Sequence, residues 1–372
     1  MSTSELSNQG NPTNRLNDDE IDLKELFIAL WKGKWVIIAT TIICAAVAVA
    51  YALTAKQVWT TKAVITYPQV KDFADYQQMV SGFQPVFDVY QESGSILVSN
   101  KLDNLYAPQT LFNIYVQQFE LQANKIAYMA SNAEFQRELS LLQTGTEGGA
   151  EEEIRDRKSS LYSAWYSKLT AVVEKTSGRY TLKAQLSNAN DSYAFLTGYV
   201  DFVAEKARSI AIDNFSSIVS CKRSEIVQQK ALFTDQAKGS LFNERVQAQY
   251  ALEIATAAGI DKPQQNLNNE DLFVINIGAN ALAAKVKVLD NLTELSIIEP
   301  KLHQLNAKFD LLKNLTISPD VEFKTFQFIE SPEKPISRTS PKRSHIAILG
   351  VLLGGMLGTV IVLIRYAFAK KD

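Results

Sequence analysis

The amino-acid sequence predicts an α+β membrane protein in which two transmembrane helices flank a large extramembrane region with a small mixed α/β base and one very long protruding helix. Three observations carry this. Residues 35–53 and 346–364 are apolar runs without a charged side chain. Segments rich in β-branched and aromatic residues lie close to both runs. Between Pro108 and Pro263 there is no proline, and apolar residues recur at helical spacing for much of that length.

Each apolar run, WVIIATTIICAAVAVAYAL and IAILGVLLGGMLGTVIVLI, makes a helix of about 28 Å, close to the thickness of a bilayer's hydrocarbon core. Trp35, Tyr51 and Tyr366 stand near the run ends, where amphipathic rings favour the interface. The first run is not read as a cleavable signal, because the residues before it include Asp18, Asp19, Glu20, Asp22 and Glu25. Two spans put both termini on one side of the membrane. Arg15, Lys24, Lys32 and Lys34 precede the first span and Lys56 and Lys62 follow it, a slight preference for cytoplasmic ends; the charges around the second span do not add to it. Gly350, Gly354 and Gly358 fall on one face of the second helix, a small-xxx-small pattern that lets another helix approach closely, within the chain or between chains. Ala46 with Ala50, and Ala48 with Ala52, offer small faces on the first.

Between the spans, residues 58–67 (VWTTKAVITY) read as a strand, 169–175 and 180–186 as a hairpin, and 321–329 (VEFKTFQFI) as a strand just before the second span. A nearly unbroken helix over about 190–258 would be roughly 100 Å long. Leu196, Val203 and Ile210 keep heptad spacing, and Val219, Ile226 and Phe233 resume it after a two-residue phase change, so packing partners should change along the helix. The segment 222–249 is rich in Lys, Arg, Glu and Gln and is expected to project into solvent. A second helical stretch over about 280–315 is expected to return antiparallel, interrupted by Pro300. Shorter helices are expected around 111–130 and 134–142, followed by a solvated acidic loop, TGTEGGAEEE.

Chemistry is scarce. Thirty-eight basic and 40 acidic residues give a net charge of −2, which argues against nucleic-acid binding. Two cysteines and two histidines build neither a disulfide scaffold nor an obvious metal site. Cys44 in the first span and Cys221 in the long helix should not meet. No phosphate loop, dinucleotide fingerprint, nucleophile elbow or HExxH motif occurs. Glu151, Glu152 and Glu153 are adjacent in sequence and do not give the opposed carboxylates of a glycosidase. The protein is therefore expected to be no enzyme and to need no cofactor and no metal. The flanks of the spans are expected to be too short for a cytoplasmic output domain, which excludes a two-span chemosensor.

The segment PEKPISRTSPKRSHIAILGVLLGGMLG resembles the proline-rich signature of the Wzz chain-length determinants, the kinase-free polysaccharide co-polymerases. Its pattern here is Pro332, Pro335, Ser340, Pro341 and Lys342, then Gly354, Gly355, Met356 and Gly358, with Gly350 one helical step earlier. Thr359 and Val360 depart from the family's usual Ala-Gly. Residues 21–35, 251–263 and 278–282 are similar to the same family, and the likeness is weakest between about 73 and 160. The resemblance implies a cytoplasmic segment 1–34, a span at 35–54, a periplasmic chain-length determinant domain at 55–344, a span at 345–365 and a cytoplasmic tail at 366–372. It further implies an inner-membrane homo-oligomeric ring, in the family usually an octamer. Such a ring acts with the Wzy polymerase on undecaprenyl-linked polysaccharide to set the modal length of O antigen or a related glycan. A two-span periplasmic structural adaptor of an export or transport assembly is the alternative.

Overall fold

The computed structural model describes residues 23–91, 93–144, 151–174, 177–264 and 273–369. The readings that fall on 1–22, on 145–150 of the acidic stretch, on 175–176 of the hairpin turn and on 370–372 lie outside the described residues. The chain divides into two compact units, one built on the two apolar helices and the other on the region between them.

In the first unit, α1 (Leu23–Lys32) leads through Gly33 into α2 (Lys34–Thr54). The chain leaves α2 at Ala55 and enters β1 (Trp59–Thr66).

The second unit begins within β1 and continues through α3 (Ala74–Ser81), α4 (Gln84–Phe87) and a hairpin of two short strands, β2 (Val89–Tyr90) with β3 (Ile96–Leu97). Four helices follow: α5 (Pro108–Glu120), α6 (Gln122–Met129), α7 (Ala133–Thr144) and α8 (Glu151–Tyr166). Pro108 opens α5, where a missing N–H costs nothing. Glu151, Glu152 and Glu153 are not in a loop. They form the first turn of α8, where carboxylates meet the positive end of the helix dipole, and Glu153 pairs with Arg157 at 2.6 Å.

The hairpin read at 169–186 is β4 (Leu169–Val173) with β5 (Tyr180–Leu186), antiparallel from Leu169 opposite Ala184 to Val173 opposite Tyr180. The four-stranded sheet runs β4-β5-β1-β6, with β6 (Gln327–Glu330) antiparallel to β1. The strand expected over 321–329 is thus confined to its end. Phe323, Thr325 and Phe326 are all buried, which breaks the alternation a strand needs, and Lys324 N–H bonds to the Asp72 carbonyl instead of a sheet neighbour.

The very long helix is α9 (Ala189–Ala257), 69 residues and about 100 Å. From Tyr199 its buried residues step by four through Val203, Ala207, Ala211, Phe215 and Val219. Each step of four advances 400° around the helix, so the buried face rotates by about 200° over this stretch. That rotation is the structural form of the heptad phase change. Early in α9, Phe195 and Tyr199 meet Trp165, Tyr128 and Phe119, with Tyr199 Oη donating to the Phe119 carbonyl at 2.7 Å. Further along, Ala211, Phe215, Val219 and Ile226 join Phe73, Tyr76, Phe83, Phe87 and Phe323 in one core. The region 73–160 therefore supplies much of the packing for α9.

The return from α9 is antiparallel but divided into α10 (Ala279–Asp290) and α11 (Lys301–Asn314). The break begins well before Pro300: Asn291 turns its amide onto the Lys287 carbonyl at 2.7 Å, and Glu294 accepts from Ser296 to hold a 3₁₀ turn. α10 lies beside the end of α9 through Ala251, Ala255, Ala279 and Leu282. Arg223 donates to the Leu312 carbonyl at 3.0 Å, and Leu305 and Leu312 share a core with Ile226. The start of segment 222–249, expected to project into solvent, is therefore covered on one face by α11; beyond it, Leu232 and Phe242 are exposed.

Candidate functional site

The proline-rich connector lies at residues 331–342. Pro332 and Pro335 are half-buried, Ser340 and Lys342 exposed, and Pro341 buried after a cis peptide bond. The connector is fastened to the chain leaving α2. Val58 N–H donates to the Ser340 carbonyl at 2.9 Å, Thr339 N–H returns a bond to the Val58 carbonyl at 2.8 Å, and the Thr339 and Thr60 hydroxyls lie 2.9 Å apart. The prolines fit this geometry because each fixes φ and none is needed as a donor where the bridge forms.

Lys342 begins α12 (Arg343–Ala369) by accepting from the His345 and Ile346 N–H groups, and Arg343 Nε reaches back to the Ala52 carbonyl at 3.3 Å. From there α12 runs antiparallel to α2. Both helices are long and apolar enough to cross a membrane. A Cβ on Gly350 would lie 2.5 Å from the Ala48 Cβ and 3.2 Å from the Cys44 carbonyl oxygen; one on Gly354, 2.7 Å from the Thr41 Cα; one on Gly358, 2.8 Å from the Ile37 Cα. The glycine face is thus filled by the first span of the same chain. Gly355 has only the Thr41 Oγ1, at 3.9 Å, and Met356 is exposed. The face of α2 that meets these glycines consists of Ile37, Thr40, Thr41, Cys44, Ala45 and Ala48, with Ala52 buried further along, whereas Ala46 and Ala50 are exposed. Thr40 and Thr41 stay compatible with an apolar setting because their hydroxyls bond within the helix to the Val36 and Ile37 carbonyls at 2.7–2.9 Å. The small residues in this pair that sequence reasoning passed over are these two threonines and Gly33, whose missing side chain admits Val362. The signal was present as two hydroxyl residues amid the apolar run.

Other candidates are separate. Cys44 sits half-buried in α2 and Cys221 exposed on α9, both unpaired thiols. His303 lies on α11 and His345 in the first turn of α12. Among the described residues no cluster of three or more His, Cys, Asp or Glu is placed to hold a metal ion. The largest shifts in acidity are structural: burial raises the Tyr76, Tyr115 and Tyr199 phenols well above their usual range.

Residues 19–110 match the family model described as Wzz, chain length determinant protein. A chain length determinant protein of Salmonella typhimurium is 27% identical over 95% of this chain and 94% of its own length. The chain is thus similar to the Wzz chain length determinants over most of its length. Another relative, the ferric enterobactin transport protein FepE of Escherichia coli K12, is 23% identical over 95% of this chain and 91% of its own. Among solved structures, a full-length bacterial polysaccharide co-polymerase superposes with a TM-score of 0.62 at 24% identity, covering 94% of this chain and 99% of that one. The Wzz-like fold accordingly extends over nearly the whole chain, with two apolar helices flanking a helical region on a small sheet.

Proposed function

We propose that this chain sets the modal chain length of lipopolysaccharide O antigen, or of a related Wzy-dependent surface polysaccharide, as a non-catalytic co-polymerase of the inner membrane. In this reading the region between the spans is periplasmic, both termini are cytoplasmic, and the protein assembles into a closed ring, of eight protomers by family resemblance, that works with the Wzy polymerase on undecaprenyl-linked glycan. The supporting observation is the joint one: two packed apolar helices and, between them in sequence, a region dominated by α9, in a chain whose relatives over about 95% of its length include named chain length determinants.

Influence through geometry follows from the parts available. Pro332, Pro335, Ser340, Pro341 and Lys342 fix where α12 starts, while Gly350, Gly354 and Gly358 fix how it lies on α2. Met356, which is exposed, and Gly355, which meets α2 only at the Thr41 hydroxyl, are the motif positions left to meet a neighbouring protomer or the polymerase. The second reading, a structural adaptor of an export or transport assembly, draws on the likeness to the ferric enterobactin transport protein FepE. Deleting the gene separates the two. Chain-length control predicts that a modal glycan distribution collapses to one dominated by short chains, whereas loss of an adaptor abolishes export or leaves length unchanged.

A further inference from the structure

A cavity of about 520 Å³ lies between the middle of α9, the start of α11 and the β2 hairpin. Its lining is regular. Lys222, Glu225, Gln229 and Phe233 share one face of α9 at steps of three and four, and Lys301, Gln304 and Lys308 do the same on α11. Tyr90 closes the side formed by β2.

The charges in this lining do not cancel. Glu225 is occupied by its own helix, accepting from Lys222 at 2.9 Å and from Gln229 Nε2 at 3.1 Å. Lys301 has its ammonium 5.2 Å from the centre of the Phe233 ring, and Lys308 stands 5.5 Å from that of Tyr90. Among the described residues, Lys308 makes one hydrogen bond, to the Asp88 carbonyl, which leaves two of its three donors for the cavity. Burial and then the neighbouring Lys222 hold the Lys308 ammonium below its usual range, against the opposing pull of the Asp88 and Glu225 carboxylates.

Two ammonium groups that form no ion pair among the described residues, two aromatic rings and the amide of Gln304 together favour one class of ligand. A pyranose offers a flat C–H face for a ring and hydroxyls for an amide, and a carboxylate on that sugar answers the lysines. The volume falls within the range of ordinary ligand sites. We infer that this cavity binds a carboxylate-bearing saccharide through Lys301 and Lys308, with Phe233 and Tyr90 as the stacking surfaces. That the saccharide is a segment of the growing glycan rests on the proposed chain-length function; the binding itself does not.

The test uses the full chain in detergent micelles, titrated calorimetrically with trigalacturonic acid and, as the neutral counterpart, maltotriose. Trigalacturonic acid should bind about ten-fold more tightly than maltotriose and weaken as salt rises. Lys301→Gln with Lys308→Gln should cost about ten-fold, and Phe233→Leu several-fold, each with an unchanged circular dichroism spectrum. Equal affinity for the two sugars, no binding of trigalacturonic acid, or full binding by the double lysine variant would overturn the inference. So would inorganic phosphate competing as well as the sugar, which would leave only a general anion site. A chain that binds trigalacturonic acid but whose deletion leaves glycan length unaltered retains the site and refutes the chain-length reading. The converse result retains that reading and refutes the site.

Discussion

Gly354→Ala provides a measurement of how closely the two spans depend on each other. The added Cβ would lie 2.7 Å from the Thr41 Cα, 2.9 Å from the Cys44 Cβ and 3.1 Å from the Thr40 carbonyl oxygen. Carbon atoms pack at about 3.5–4.0 Å, so α2 and α12 must part by roughly 1 Å at this crossing, and a main-chain atom cannot swing aside as a side-chain tip does. A gap of that size forfeits a quarter to a half of the dispersion energy of the atoms involved, and overpacking of this kind costs about 1–3 kcal/mol. Gly355→Ala is the matched control: it makes the same chemical change one residue along the same helix, with its nearest neighbour at 3.9 Å. Alanine's gain in helix propensity is common to both variants, so the difference isolates the contact. Steric trapping of the full chain in bicelles, with a label on each span, reads the pairing equilibrium. Gly354→Ala should weaken pairing by about ten- to one-hundred-fold relative to Gly355→Ala. Equal effects of the two substitutions would refute intrachain packing of the glycine face.

Two further predictions concern the core around α9. Tyr199→Phe removes the donor to the buried Phe119 carbonyl and should cost about 1 kcal/mol in denaturant unfolding, whereas Tyr115→Phe removes a buried hydroxyl with no hydrogen-bond partner among the described residues and should be neutral or stabilising. On alkaline titration, the raised pKa values of Tyr76, Tyr115 and Tyr199 mean that the folded chain keeps protons the unfolded chain loses. Their stabilisation is complete below the ordinary tyrosine value near pH 10 and is lost as pH rises above it; a melting temperature that stays level from pH 9 to pH 11 would contradict this.

The parts of the fold legible in the sequence are those set by local pattern. An uninterrupted apolar run suffices for a span, and the hairpin at 169–186 declares itself by β-branched residues on both sides of a Thr-Ser-Gly-Arg turn. The glycine spacing indicated a close helix approach, but only the fold shows that Thr40 and Thr41 complete it. Segment 321–326 misled because Phe323, Thr325 and Phe326 look like strand residues, yet all three are buried, Phe323 against Tyr76 at 4.3 Å and Phe326 against Tyr115 at 4.2 Å. The three glutamates at 151–153 suggested a loop by their polarity, although their position before an amphipathic stretch equally suits a helix start. The lysine cavity was beyond reach for a different reason. The spacings on α9 and α11 are visible separately, but their pairing depends on an antiparallel return across nearly 80 residues.

The central claim is that length is set by geometry and not by a reaction, and graded expression of the chain in a strain lacking it tests that claim most directly. Glycan length distributions read from gel ladders should show a modal band whose position stays fixed while its intensity rises with the amount of protein, because each completed assembly imposes the same length. A mode that slides continuously to longer or shorter glycan as expression rises would instead indicate a rate in competition with polymerisation, and would contradict the account.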